Sequence, residues 1–108
     1  MEGIRKMETV GEIIKRAAET FKERDKDYGE AYKHHGDIMS ALFPDGLTLK
    51  GSEMFNRYAI LNAMIVKLHR YSYAFKKEGT HLDSLHDLGI YSFMLEERDQ
   101  LIKMGEQK

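Results

Sequence analysis

The chain has no cysteine. That excludes disulfides, zinc–thiolate centres and a cysteine nucleophile, and it fits a reducing compartment. Neither sign of charge is in excess: 17 Lys and Arg are set against 18 Asp and Glu, for a net charge of -1. The two signs are interleaved, so the basic face that binds nucleic acid is missing, and neither nucleic acid nor a membrane surface is an expected partner. Long apolar runs are missing as well. The longest, Tyr58 to Val66, is interrupted by Asn62 and falls far short of the roughly 20 residues that span a bilayer. The segment from Met1 to Lys15 is charged and lacks the apolar core of a signal peptide, so a cytoplasmic location is expected. Glycine-rich phosphate cradles are absent, both G-x-x-x-x-G-K-[ST] and G-x-G-x-x-G, as is a nucleophile elbow. Any phosphate chemistry must therefore use side chains and metal. Strand alternation, internal repeats and low-complexity segments are also absent.

What remains is a helical pattern. With 108 residues, 42% apolar and 32% charged, the chain is large enough for one domain with one core. Val10, Ile13, Ile14, Ala17 and Phe21 repeat at helical spacing, and Thr9 with Glu12 has capping-box spacing, which predicts a first helix from Thr9 to about Lys26. A second helix is predicted from Ala31 to Phe43, closed by the single proline in Pro44-Asp45-Gly46. Ser52 is placed to cap a third helix of about 24 to 26 residues whose middle is apolar on nearly every side. Such a helix is central to the domain or partly covered by another subunit. A fourth helix is predicted from Leu82 to about Lys103. The expected fold is all-α: a four-helix up-and-down bundle with a long central helix, with residues 1–8 and 104–108 frayed.

The chemistry concentrates where the last two helices face each other. Met54 to Lys77 contains no acidic residue, and its mid-section cations are Arg57, Lys67 and Arg70. The following helix opens with Asp83 and Asp87, four apart and hence on one face. In an antiparallel hairpin Arg70 and Asp87 are expected at similar heights, with Asp83 one turn nearer the tip and Lys67 and Tyr91 about one turn further away. Two such carboxylates suit Mg²⁺ (or Mn²⁺), which takes one or two protein carboxylates together with phosphate oxygens and water. Lys67 and Arg70 suit the phosphates. The competing reading is structural: Thr80 capping the fourth helix with Asp83 stabilising its first turn, and Arg70 with Asp87 as a pair that fixes helix register.

The five histidines lack the spacing of a zinc helix. Cap or surface roles are expected for most of them, and His81 and His86, which flank the carboxylates, are the ones placed to touch a ligand. Glu23, Asp27 and Glu30 surround Tyr28-Gly29 at the junction of the first two helices. They would add carboxylates if that corner folds toward the hairpin; otherwise it is a solvated loop.

Several of these pieces occur together in one known group. Glu23-Arg24 is followed by Tyr28-Gly29, then Ile38-Met39, Leu42-Phe43-Pro44, Arg57, Val66-Lys67-Leu68-x-Arg70-Tyr71 and His81-x-Asp83-Ser84-x-x-Asp87-Leu88-x-x-Tyr91. In these the chain resembles small phage and prophage proteins of the MazG-like, all-α nucleotide pyrophosphohydrolase group, over roughly Lys22 to Glu97. The resemblance implies a helical bundle, commonly dimeric or tetrameric, that hydrolyses nucleoside triphosphates to monophosphate and pyrophosphate with Mg²⁺. In better-known members the metal is held by Glu-x-x-Glu on one helix and Glu-x-x-Asp on the next. Asp87 matches the last position of the second motif, Ser84 stands where its Glu would be, and the first motif has no counterpart in the third helix.

The resulting expectation is a Mg²⁺-dependent nucleoside triphosphate pyrophosphohydrolase that forms a homo-oligomer. Asp83 and Asp87 hold metal, with Glu23 or Asp27 as further ligands. Asp87, Asp83 and Lys67 form the catalytic set. Lys67, Arg70 and Arg57 bind the polyphosphate, and Tyr28, Tyr91 and His81 contact the nucleotide. Two other readings stay open: a nucleotide-binding protein that sequesters its ligand without turnover, and a structural helical interaction module.

Overall fold

Backbone caps define the helices. A computed structural model describes residues 6–106, apart from the side chains of Asp27 and Tyr28. Its elements are α1 (Val10–Tyr28), α2 (Ala31–Leu42), α3 (Gly51–Lys76) and α4 (Leu82–Glu106), so the fold is an all-α helical bundle. Thr9 caps α1 with the expected reciprocal box: its hydroxyl accepts from the Glu12 N–H, and the Glu12 carboxylate accepts from the Thr9 N–H. Two successive left-handed residues, Gly29 and Glu30, then turn the chain from α1 into α2. The Pro44 turn ends α2 one residue earlier than expected, at Leu42.

The remaining ends differ from the sequence reading. Helix α3 starts at Gly51 on an N-cap Lys50 with no side-chain cap, so Ser52 lies inside the first turn instead of capping it. At α4 the cap is His81, not Thr80. The Ser84 N–H donates to His81 Nδ1 at 3.2 Å, an acceptor role open only to a neutral imidazole. At the other end α4 continues through Glu106, which pairs with Lys103 at 3.6 Å, so the last turn is helical where fraying was expected. Residues 1–5 and 107–108 lie outside the described residues, while Glu8 is held by a forked contact to Arg16.

Helix α3 is the long central element, about 39 Å at 1.5 Å per residue for its 26 residues. It packs most extensively on α4 and also touches α1 and α2. The register of the α3–α4 hairpin is marked by three ion pairs that straddle the connecting turn: Lys67–Asp87, Arg57–Asp99 and Glu53–Arg98. The α1–α2 corner rests on α3 through Gly29. The Tyr73 ring lies where a β-carbon at Gly29 would stand, and Lys77 both covers that ring and donates to the Lys26 carbonyl at 3.2 Å.

Little of the chain is inside. Among the described residues Ile65 is the only buried apolar side chain, and Ser84 the only buried polar one. The stripe predicted on α1 (Val10, Ile13, Ile14, Phe21) is exposed, as are Ile90, Phe93 and Met94 on α4. The Cα radius of gyration is 19.0 Å, against about 13 Å for a compact chain of this length.

Candidate functional site

The contact expected between the last two helices is present, with a different cation at its centre. Lys67 Nζ lies 2.9 Å from Asp87 Oδ2, while Arg70, placed level with Asp87 by the hairpin reading, contributes only its charge at longer range. Lys67, one turn along α3 from Arg70, is the cation whose side chain reaches the carboxylate. The Asp87 carboxyl is held below its ordinary range, chiefly by the hydrogen bond from Lys67 and further by the charges of Lys67, His86 and Arg70. The pair is not sealed. The Asp87 side chain keeps 40% of its surface exposed and that of Lys67 18%.

Around this pair the other expected residues divide. Asp83 is exposed one turn before Asp87 on α4, and Tyr91 is half-buried one turn after it. His81 is engaged in capping α4, at the end of the helix that carries both carboxylates. Ser84, between the two aspartates, is the most buried residue described, and its hydroxyl has no hydrogen-bond partner. Arg57 is not at this site. It pairs with Asp99 at 3.3 Å, about 15 Å back along α3 from Lys67. Glu23 is exposed on α1, and the side chains of Asp27 and Tyr28 lie outside the described residues. Among the described residues no three His, Asp or Glu side chains converge as a metal-holding group.

A second feature was not foreseen. Where the end of α1 and the start of α2 meet α3 there is a cavity of about 460 Å³, lined by Phe21, Arg24, Asp25, Glu30, Tyr32, His35, Val66, His69 and Arg70 among others. Phe21 and Tyr32 meet edge to face, 6.0 Å between ring centres. His35 Nε2 is hydrogen-bonded to Asn62 Oδ1, which ties α2 to α3. His69 stacks on His34, and burial pushes the pKa of its imidazole below the ordinary value, with the neighbouring His34 and His35 pushing the same way. Two wall residues carry a buried atom without a hydrogen-bond partner, Asp25 Oδ1 and His69 Nδ1. Native interiors seldom leave such atoms unpaired, and bound water or ligand is a common partner. Arg70 belongs to both features, since it lines the cavity and its charge acts on Asp87.

Sequence reasoning had reached Arg70 and Glu30 but missed Arg24, Asp25, His35 and His69 as a group. They come from three helices with no common spacing, and the only available sign was the adjacency of His69 to Arg70. Compared with known proteins, the chain matches no family model, no characterised protein and no solved structure.

Proposed function

We propose that the protein binds a nucleoside triphosphate at the α3–α4 contact and hydrolyses it to monophosphate and pyrophosphate, as a divergent member of the MazG-like group. The observation that carries this reading is the half-open Lys67–Asp87 pair, with the charge of Arg70 acting on Asp87 and Asp83 one turn away on α4. Lys67 and Arg70 are three apart on α3, so a polyphosphate can replace Asp87 as the partner of Lys67 while Arg70 takes a second phosphate oxygen in a forked contact. The displaced carboxylate and Asp83 are then two oxygen donors on one helix face. That donor set fits a hard divalent cation such as Mg²⁺ (or Mn²⁺) arriving with its phosphates. A cation held there would offset the negative charge that builds on the phosphates as the bond between the α and β phosphates breaks and pyrophosphate leaves. Asp87 or Asp83 orients the attacking water, and the two cations of α3 hold the chain of phosphates in line.

Assembly belongs to the same reading. The chain exposes 9169 Å², whereas a compact monomer of 12.6 kDa is expected to expose about 6200 Å². The excess, about 3000 Å² per chain or about 6000 Å² for a pair, lies at the upper end of the total area, about 2000–5000 Å² and above, that obligate homodimers bury. The uncovered stripes on α1 and α4 are the surfaces such a homo-oligomer would close. Within the described residues no helix is long and apolar enough to cross a membrane.

The test is pyrophosphate release from a panel of ribo- and deoxynucleoside triphosphates with Mg²⁺ or Mn²⁺, on the wild type and on Asp87→Asn. Metal-dependent release that is lost in Asp87→Asn is the expected result. Tight metal-independent binding without release supports the sequestering alternative. Unchanged binding and turnover in Asp87→Asn would falsify the site. The absence of any melting shift with the whole panel leaves a structural module, because a ligand of the native state must raise the melting point.

A further inference from the structure

We infer that the first half of α1 docks on the outer face of α4 of a second copy of this chain, each copy giving its own α1 and receiving the other's, so that two α1–α4 contacts close the dimer. The inference rests on the homo-oligomer reading above and assigns it an interface. Helix α1 is the most amphipathic of the four, yet residues 10–19 are exposed throughout. The helix meets α3 at its other end, through Phe21, Arg24 and Asp25 beside the cavity and through Gly29 under the Tyr73 ring. Val10–Tyr28 is one continuous helix, so the front half is carried outward as a rod, in a molecule 64 Å long. An amphipathic helix owes most of its stability to packing of its apolar face. The capped front half of α1 therefore needs a cover from outside the chain.

The matching surface lies on α4. Ile90, Met94, Glu97, Leu101 and Met104 recur at alternating steps of four and three, all exposed, on the side opposite Leu95 and Asp99, which face α3. Val10, Ile14, Ala17 and Phe21 recur at the same steps on α1. Two stripes of one period interlock side by side. The area asks for both stripes. An excess of about 3000 Å² per chain exceeds what a standard interface covers with about 20–30 residues a side, and a single helix face supplies far fewer.

The two simpler pairings fit less well. Pairing α1 with α1 leaves the α4 stripe bare. Pairing α4 with α4 across a two-fold axis sets Glu97, at the midpoint of its stripe, against the same carboxylate of the other copy, a like-charge contact. With the α1 and α4 stripes in step, Ala17 comes opposite Glu97, and its small side chain leaves the carboxylate a way to water.

Because the chain has no cysteine, engineered thiols report the contact without background. Ala17→Cys, Glu97→Cys and the double variant are made in the full chain, at positions exposed in the single copy. Each is treated with a bis-maleimide too short to reach past a neighbouring helix, and sedimentation equilibrium gives the assembly state before treatment. The wild type should sediment as a dimer. The double variant should become predominantly covalent dimer on a denaturing gel, while each single variant stays at monomer mass. Efficient cross-linking of Ala17→Cys alone or of Glu97→Cys alone, a link within one copy of the double variant, or a dimer that no variant joins would each overturn this pairing while the homo-oligomer stands. A monomeric wild type would overturn both. None of these readouts involves nucleotide or metal, so they are independent of the pyrophosphate assay.

Discussion

The α3–α4 hairpin and the α1–α2 arm are held in different ways. The hairpin is aligned by charge: three ion pairs spaced along its length set which residues of α4 face which residues of α3. The arm is attached by shape at one corner, where Gly29 lies under the Tyr73 ring, and by the His35–Asn62 hydrogen bond. Surface ion pairs define register but contribute little free energy. A close-packed corner tolerates almost no change of volume. The arm should therefore be sensitive at a single position, while the hairpin should tolerate loss of any one pair. The two surface features divide along the same line: the Lys67–Asp87 pair lies on the hairpin, and most of the cavity wall comes from the arm.

Gly29→Ala is the strongest way to break that comparison. The residue has φ 57, and an added β-carbon would meet the Tyr73 ring. Left-handed strain and overpacking together should cost about 2–4 kcal/mol in urea unfolding. Tyr73→Ala in the same chain should recover part of it, as the clash is removed while the backbone strain remains.

Phe93→Asp comes next. The Phe93 side chain is 71% exposed in the single chain, so a monomer should hardly notice the change. If α4 is covered by a second copy, the substitution removes about 2 kcal/mol of burial per chain. Sedimentation equilibrium should then show a smaller assembly at equal concentration, with helix content retained.

A smaller effect is expected with pH. Because burial depresses the His69 pKa in the folded state, the unfolded chain takes up a proton first as pH falls. The stability associated with neutral His69 is therefore full above about 6.5, the ordinary histidine value, and declines from there down to the lower folded value. The melting temperature of the wild type should fall through that window, and His69→Gln should flatten the fall. Asp87 acts in the same direction at more acid pH, since its pKa is also lowered and its stabilising contact is lost as pH drops through the folded value.

The least effect is expected from Arg98→Gln. Its forked contact with Glu53, 2.6 and 2.9 Å, is half-buried and lies at the end of the hairpin away from the turn. Melting temperature should be unchanged within error, and nucleotide binding should match the wild type.

Much of this fold is legible in the sequence because it is written locally. Thr9 with Glu12, the Pro44 turn and the apolar run of α3 are signals within a few residues of the features they specify. The departures arise where geometry between elements decides. Thr80 is a better cap by type than His81, but the chain leaves the hairpin turn, with Glu78 in a left-handed conformation, on a path that brings the imidazole to the Ser84 N–H. Lys67 rather than Arg70 reaches Asp87, a contact between two helices that no local spacing specifies. The cavity was the least readable part. Asp25, His35 and His69 share no sequence period and meet only through the angle at which the arm leaves α3.

The central claim is that the basic face of α3 and the acidic face of α4 form a polyphosphate site. The most direct measurement is calorimetric titration of a deoxynucleoside triphosphate with Mg²⁺ into the wild type and into Lys67→Met. Saturable binding to the wild type that weakens at least about tenfold in Lys67→Met is the predicted result. Equal binding to both proteins would contradict the account.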